Sequence, residues 1–251
     1  MSYKSNLNDL KKRHTDYFNM EPCDLEQRDN STSVSGIMEV ESHFKNLDKA
    51  LVEKIRQADA VVGCVAWLTN VKILNALANV EDGVSIVVQK EDFLRPDSTG
   101  ETGYKARLRR QYECLKAVDP SWECVIEMRA DDIGECEPGR VDISVRCVGH
   151  LKDKNEFAMP RMHHKFMVFC ESIENGTDFW NVKPYAVWTG SFNMTDNATK
   201  SNENGLFIKN QDIAQSYFME WFDMLLVSES LDWSSEYAAP DLQFNNLACR
   251  S

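Results

Sequence analysis

The stretch from residue 59 to residue 89 constrains the fold more than any other. "DAVVGCVAWLT" is a continuous apolar run rich in valine, "GVSIVVQ" is a second, and "VKILNALANV" between them returns to helical period. Apolar runs without polar alternation read as strands buried on both faces, in a sheet covered by helices. Upstream, "FKNLDKALVEKIRQA" places Phe44, Leu47, Leu51 and Ile55 at helical spacing. A helix–strand–helix–strand order predicts an α/β layered domain.

Downstream, "EDFLRPDSTGETGY" is loop-like and leads into a helix through Leu108 and Leu115. Between residues 119 and 160, "CVIEMR" and "ISVRCVG" read as strands around the loop "ADDIGECEPG". "HKFMVF", "YAVWTG" and "NGLFIKN" read as three further strands, and "QDIAQSYFMEWFDMLL" as an amphipathic helix with Ile213, Tyr217, Trp221, Met224 and Leu225 on its apolar stripe. Residues 1–35 are polar and end in the turn-rich "DNSTSVSG", which predicts a flexible or loosely docked arm before a single domain over 36–251. Trp67, Trp188 and Trp221 lie in or beside apolar runs and read as core.

Composition narrows the function. No apolar run spans a bilayer, and the N-terminal residues lack the apolar centre of a signal peptide. The 8 cysteines form no C-x-x-C pair, so a reduced, cytoplasmic protein is expected over a disulfide framework or a zinc site. A net charge of −12 argues against a general basic surface for nucleic acid, though not against a local basic groove. The densest basic stretch is "YKARLRRQYE", whose Lys105, Arg107, Arg109 and Arg110 are either substrate contacts or a solvated helix face. Asp131, Asp132, Glu135 and Glu137 match no calcium-loop spacing and read as a solvated acidic loop.

Chemistry concentrates at "RMHHKFMVF". In a strand, residues i and i+2 share a face, so His163 and Lys165 point one way and His164 the other. An imidazole beside an ammonium makes sense around an anion such as phosphate: a neutral histidine attacks phosphorus, and lysine binds its oxygens as a point charge. His150-Leu151-Lys152 repeats the H-x-K pattern, so the pattern alone is cheap. The residues downstream of His163 have no counterpart after His150. "VWTGSFNMT" ends a strand with Ser191 and Asn193, again two apart, and "KSNENGLFI" brings Glu203 to the start of the next. A carboxylate there is placed to take the Nδ1 proton of a histidine and leave Nε2 free.

With "HHKFMVF", "VWTGSFNMT" and "NENGLFI", the chain resembles the phospholipase D superfamily, whose signature is H-x-K, an acidic residue, then G-S-x-N and a glutamate. The resemblance covers about residues 37–227 and is nearest to single-motif members such as bacterial endonucleases. It implies an α-β-α sandwich with a mixed central sheet, a nucleophilic His163, Lys165 and Asn193 on the phosphate oxygens with Ser191 beside them, and Glu203 orienting His163. One signature per chain implies a homodimer sharing one site, since the family's chemistry needs two histidines. No metal or other cofactor is implied. Two departures stand out: Cys170 occupies the family's acidic position, and residues 171–184 replace what is usually a tight hairpin, an insert expected to fold over the site or to reach the partner.

The expected function is a metal-independent phosphodiesterase, a nuclease on nucleic acid, without stable membrane association. Two alternatives stay open: a hydrolase of phospholipids or other phosphodiesters, and a catalytically inactive, phosphate-binding dimeric module.

Overall fold

A computed structural model describes residues 12–15, 22–25, 30–34, 38–94, 103–118, 144–151, 160–175, 179–240 and 244–245. The strands in chain order are β1 (Lys12–Thr15), β2 (Pro22–Leu25), β3 (Glu39–His43), β4 (Ala60–Val65), β5 (Val84–Gln89), β6 (Val145–Val148), β7 (Lys165–Asn175), β8 (Phe179–Gly190), β9 (Gly205–Lys209) and β10 (Phe244–Asn245). The helices are α1 (Leu47–Ile55), α2 (Val71–Leu77), α3 (Tyr104–Glu113) and α4 (Gln211–Leu226). Seven strands form one mixed sheet in the order β3-β9-β8-β7-β4-β5-β6, in which β4, β5 and β6 are parallel and the other pairings antiparallel. The valine-rich runs are β4 and β5, joined through α2 as a β-α-β unit, and each is buried along its whole length.

Each sheet face has its own core. On one, Leu51 and Ile55 of α1, Leu74 and Leu77 of α2 and Leu108 of α3 pack on Val61, Val65, Met167 and Trp188. On the other, Phe218, Trp221 and Leu225 of α4 pack on Val62, Cys64, Phe166 and Val168. The result is three layers, helices–sheet–helix, the α-β-α sandwich with a mixed central sheet that was expected. Asn70 and Asn210 start α2 and α4 by accepting from backbone N–H groups of the first turn, Asn70 from Lys72 and Ile73 and Asn210 from Ile213.

Local pattern and structure part in several places. Phe44 is 69% exposed and precedes α1, which begins at Leu47; "EVESH" before it is an edge strand, β3, paired with β9. Within the arm, β1 and β2 pair with each other, and β10 joins β1 in a small separate sheet. The end of the arm rests on α4: Asn30 Nδ2 donates to Asp223 at 2.7 Å and to Glu220 at 3.2 Å, and Ser216 Oγ donates to the Asn30 carbonyl at 2.5 Å. "ISVRCVG" contains β6, whereas "CVIEMR", "ADDIGECEPG" and the acidic cluster at 131–137 lie outside the described residues.

The described parts of the insert, 171–175 and 179–184, do not fold over the end of the sheet where β7 starts. They lengthen the β7–β8 hairpin, with Glu171 opposite Lys183 and Asn175 opposite Phe179. At ~3.3 Å per residue the extension begins roughly 20 Å from Lys165 and runs away from it.

β4 and β7 approach closely at Gly63, where an added Cβ would stand 2.3 Å from the Phe166 carbonyl oxygen. That obstacle is backbone, which cannot swing aside as a side chain can. Gly63→Ala is therefore expected to lower stability by about 3 kcal/mol, at the upper end of overpacking costs. Chemical denaturation checks this; a loss below about 0.5 kcal/mol would mean that the two strands part without strain.

Candidate active site

Three strand ends meet at one edge of the sheet. β7 starts at Lys165, β8 ends at Gly190 and β9 starts at Gly205; Phe166 lies opposite Thr189, and Gly190 opposite Gly205. The same edge receives the C-terminal ends of parallel β4 and β5, the usual place for ligands in open α/β sheets. His163 and Lys165, Ser191 and Asn193, and Glu203 are thus gathered by topology from three stretches of sequence. Gly190 makes the turn out of β8 with φ 153°, and a Cβ there would stand 2.4 Å from the Asn204 carbonyl oxygen.

Lys165 is only 9% exposed, and its ammonium lies 3.0 Å from His163 Nδ1 and 2.8 Å from the His163 carbonyl oxygen. Burial lowers the Lys165 pKa from its ordinary value, and the Glu203 carboxylate opposes that shift. His163 is exposed at its outer edge, but enough of the ring is enclosed for desolvation to lower its pKa from 6.5. The charges of Lys165, Arg161 and His164 push it further in the same direction. The imidazole therefore stays neutral to a pH below the ordinary 6.5. If activity needs neutral His163, its acid limb is expected below 6.5, with rate lost as pH falls through that point; a limb at or above 6.5 in a pH–rate profile would contradict this.

Glu203 and Ser191 form a pair: Ser191 Oγ donates to Glu203 Oε2 at 2.5 Å and accepts from the Asn204 N–H at 3.0 Å. The bond anticipated between Glu203 and His163 Nδ1 is not formed; the Lys165 ammonium occupies that position. Asn193 is half-buried, and its Oδ1 is enclosed without a hydrogen-bond partner. His164 points to the opposite face, with Nε2 3.1 Å from Glu220 of α4. His150, of the other H-x-K, is buried and accepts at Nδ1 from the Ala238 N–H at 2.9 Å, a structural role.

The basic stretch on α3 is not drawn into this cluster. Arg109 clasps Asp232 at 3.0 Å and the carbonyl oxygens of Leu94 and Leu231 at 2.6 and 2.7 Å, which fixes its guanidinium internally. Lys105 pairs with Asp92 at 3.3 Å, and Arg107 lies over the Tyr104 ring at 6.0 Å. α3 leads back to Val84 at the far end of β5, so Arg109 and Arg110 recede from the cluster.

Sequence reasoning missed Trp67, Glu91 and Arg161. Trp67 is half-buried rather than core, edge-on to His163 with ring centroids 5.8 Å apart. Its indole N–H donates to Glu91 Oε1 at 3.0 Å, and Arg161 Nη1 reaches the same oxygen at 2.7 Å. The readable signal was position: Trp67 and Glu91 each stand two residues past the C-terminal end of a buried parallel strand. Among the described residues, no group of three His, Cys, Asp or Glu side chains is arranged to hold a metal ion, and no helix is long and apolar enough to cross a membrane.

The family described as "Cardiolipin synthase, PLD-like domain" matches residues 51–226, which contain the whole cluster. The chain belongs to the phospholipase D superfamily. This PLD-like domain is 33% identical over 208 residues to an uncharacterized protein of Acanthamoeba polyphaga mimivirus, covering 78% of this chain and 68% of that one. Among solved structures it is similar to NucT from Helicobacter pylori, with 14% identity and TM-score 0.46 over 77% of this chain and 99% of that one. It is also similar to Nuc from Salmonella typhimurium, a phospholipase D family member, with 19% identity and TM-score 0.43 over 77% and 97% of the two chains. The superfamily to which this PLD-like domain belongs is one of phosphodiesterases.

Proposed function

We propose that the chain is a metal-independent nuclease that cleaves nucleic-acid phosphodiesters through a phosphohistidine on His163. The observation that carries this reading is the His163–Lys165 pair, 3.0 Å apart, at the sheet edge shared with Ser191, Asn193 and Glu203. As the phosphate binds, the Lys165 ammonium turns from His163 Nδ1 to the phosphate oxygens, and the neutral ring carries its one proton at Nδ1. His163 Nε2 then attacks phosphorus; the P–N bond forms as the P–O bond to the leaving oxygen breaks. Lys165 and the Asn193 amide hold the non-bridging oxygens, and the Ser191–Glu203 pair stands beside them. The leaving oxygen takes its proton from the same histidine of a second copy, so two chains share one site. Water then attacks the phosphohistidine, gives its proton to that second histidine, and the P–N bond breaks.

Cys170 does not weaken the reading. It lies inside β7, fully buried against the α4-side core as a small apolar group, about 17 Å along the strand from Lys165. A second reading, hydrolysis of a phospholipid, draws on the matched family's description as a cardiolipin synthase domain.

The test is cleavage of labelled single- and double-stranded DNA and RNA, and of phospholipid vesicles, in excess EDTA, with His163→Ala beside the wild type. Nucleic-acid cleavage lost in the variant is expected. Release of lipid headgroup alone would transfer the proposal to the second reading, and equal cleavage by both proteins would remove His163 from the chemistry.

A further inference from the structure

Trp67 stands edge-on to His163, with ring centroids 5.8 Å apart. The stretch 66–70 is bonded to both halves of the signature. The Ala66 N–H donates to the His164 carbonyl at 2.8 Å, and the Thr69 and Asn70 N–H groups both donate to the Met194 carbonyl at 2.9 Å. Leu68 pairs with Met194 in a bridge, and its carbonyl accepts from the buried Tyr112 hydroxyl at 2.6 Å. The backbone under Trp67 is thus fixed to the same frame as His163 and Asn193. The side chain is fixed as well, since its only polar atom is spent on Glu91 and Glu91 is braced by Arg161.

Trp188 and Trp221 are fully buried, whereas Trp67 is only partly buried beside His163. A rigidly held, partly buried tryptophan beside a phosphate-directed nucleophile suits a flat π-system attached to that phosphate. An acyl chain offers no such face, and paired bases in a duplex present theirs to one another. We propose that Trp67 is the stacking platform for a nucleobase next to the scissile phosphodiester, set in place by Glu91, and that the substrate is therefore single-stranded or locally unpaired nucleic acid. This rests on the nuclease reading above and adds the substrate class to it.

The test compares kcat/KM for a single-stranded thymidine decamer with that for an equally long chain whose nucleosides are replaced by baseless tetrahydrofuran units. The wild type is expected to favour the base-bearing chain roughly 5- to 150-fold, the range of one base–aromatic stack. Trp67→Ala should bring that ratio to about one, and Trp67→Phe, which keeps a ring, should retain part of it. Trp67→Ala lowering both chains alike would overturn the proposal, because the indole would then serve only to position His163. A wild-type ratio near one would overturn it too. Cleavage of neither chain by the wild type would overturn the nuclease reading and this inference with it.

Discussion

Replacing His163 by alanine is expected to lower cleavage on the order of 10⁴-fold or more, the scale seen when a covalent nucleophile is removed. A mixture of equal parts variant and wild-type subunits, allowed to exchange, is expected to keep about a quarter of wild-type activity rather than half, because only dimers with both imidazoles work. His164, His150 and His43 are each engaged elsewhere in the same chain. His164 is turned to α4 and paired with Glu220, and His150 is buried under Ala238. His43 stacks on Trp188 in β3, three strands from β7, roughly 14 Å away at the usual strand spacing. Retention of half the activity would mean that each copy works alone and would remove the shared site. Circular dichroism of the variant separates lost chemistry from lost fold.

Lys165→Met is the second large effect. The substitution keeps an apolar stem in a nearly buried position and removes only the ammonium. Loss of one preorganised charge contact to the phosphoryl oxygens is expected to cost roughly 10²- to 10³-fold in kcat/KM. It also removes a positive charge that holds the His163 pKa down. The residual activity should therefore have its acid limb moved upward, toward 6.5, so that a given fall in pH costs the variant more than the wild type. A structural role alone would lower the rate without moving the limb. An unmoved limb in a pH–rate profile would show that Lys165 does not act on the imidazole.

The large elements were legible because their signals are local. β4, β5 and β7–β9 stand where continuous apolar runs ended in polar or glycine residues, and α4 follows its stripe from Ile213 to Leu225. β3 was illegible because "EVESH" carries charges at alternate positions, and only pairing with β9 makes it a strand. Phe44 joined the α1 stripe by spacing although its side chain turns to solvent. β1 and β10 are separated by almost the whole chain, and no local pattern announces such a pairing. At the site, His163, Lys165, Ser191 and Asn193 were readable by type and spacing. The partner of Glu203 was not, because whether a carboxylate meets a hydroxyl or an imidazole is a matter of ångströms. Trp67 was misread because tryptophan beside an apolar run is usually core; only its place past the strand end distinguished it.

The outer edge of β6 is already taken. Glu229 exchanges both backbone hydrogen bonds with Cys147, at 2.9 and 2.8 Å, and its carboxylate is locked 2.5 Å from the fully buried Lys90 ammonium. At the other end of the sheet no described strand lies beyond β3. A sheet sealed on one side cannot propagate. Among the described residues, copies that met edge to edge through β3 would use up the open edge of the seven-stranded sheet in a single encounter, so strand addition to that sheet terminates at a pair.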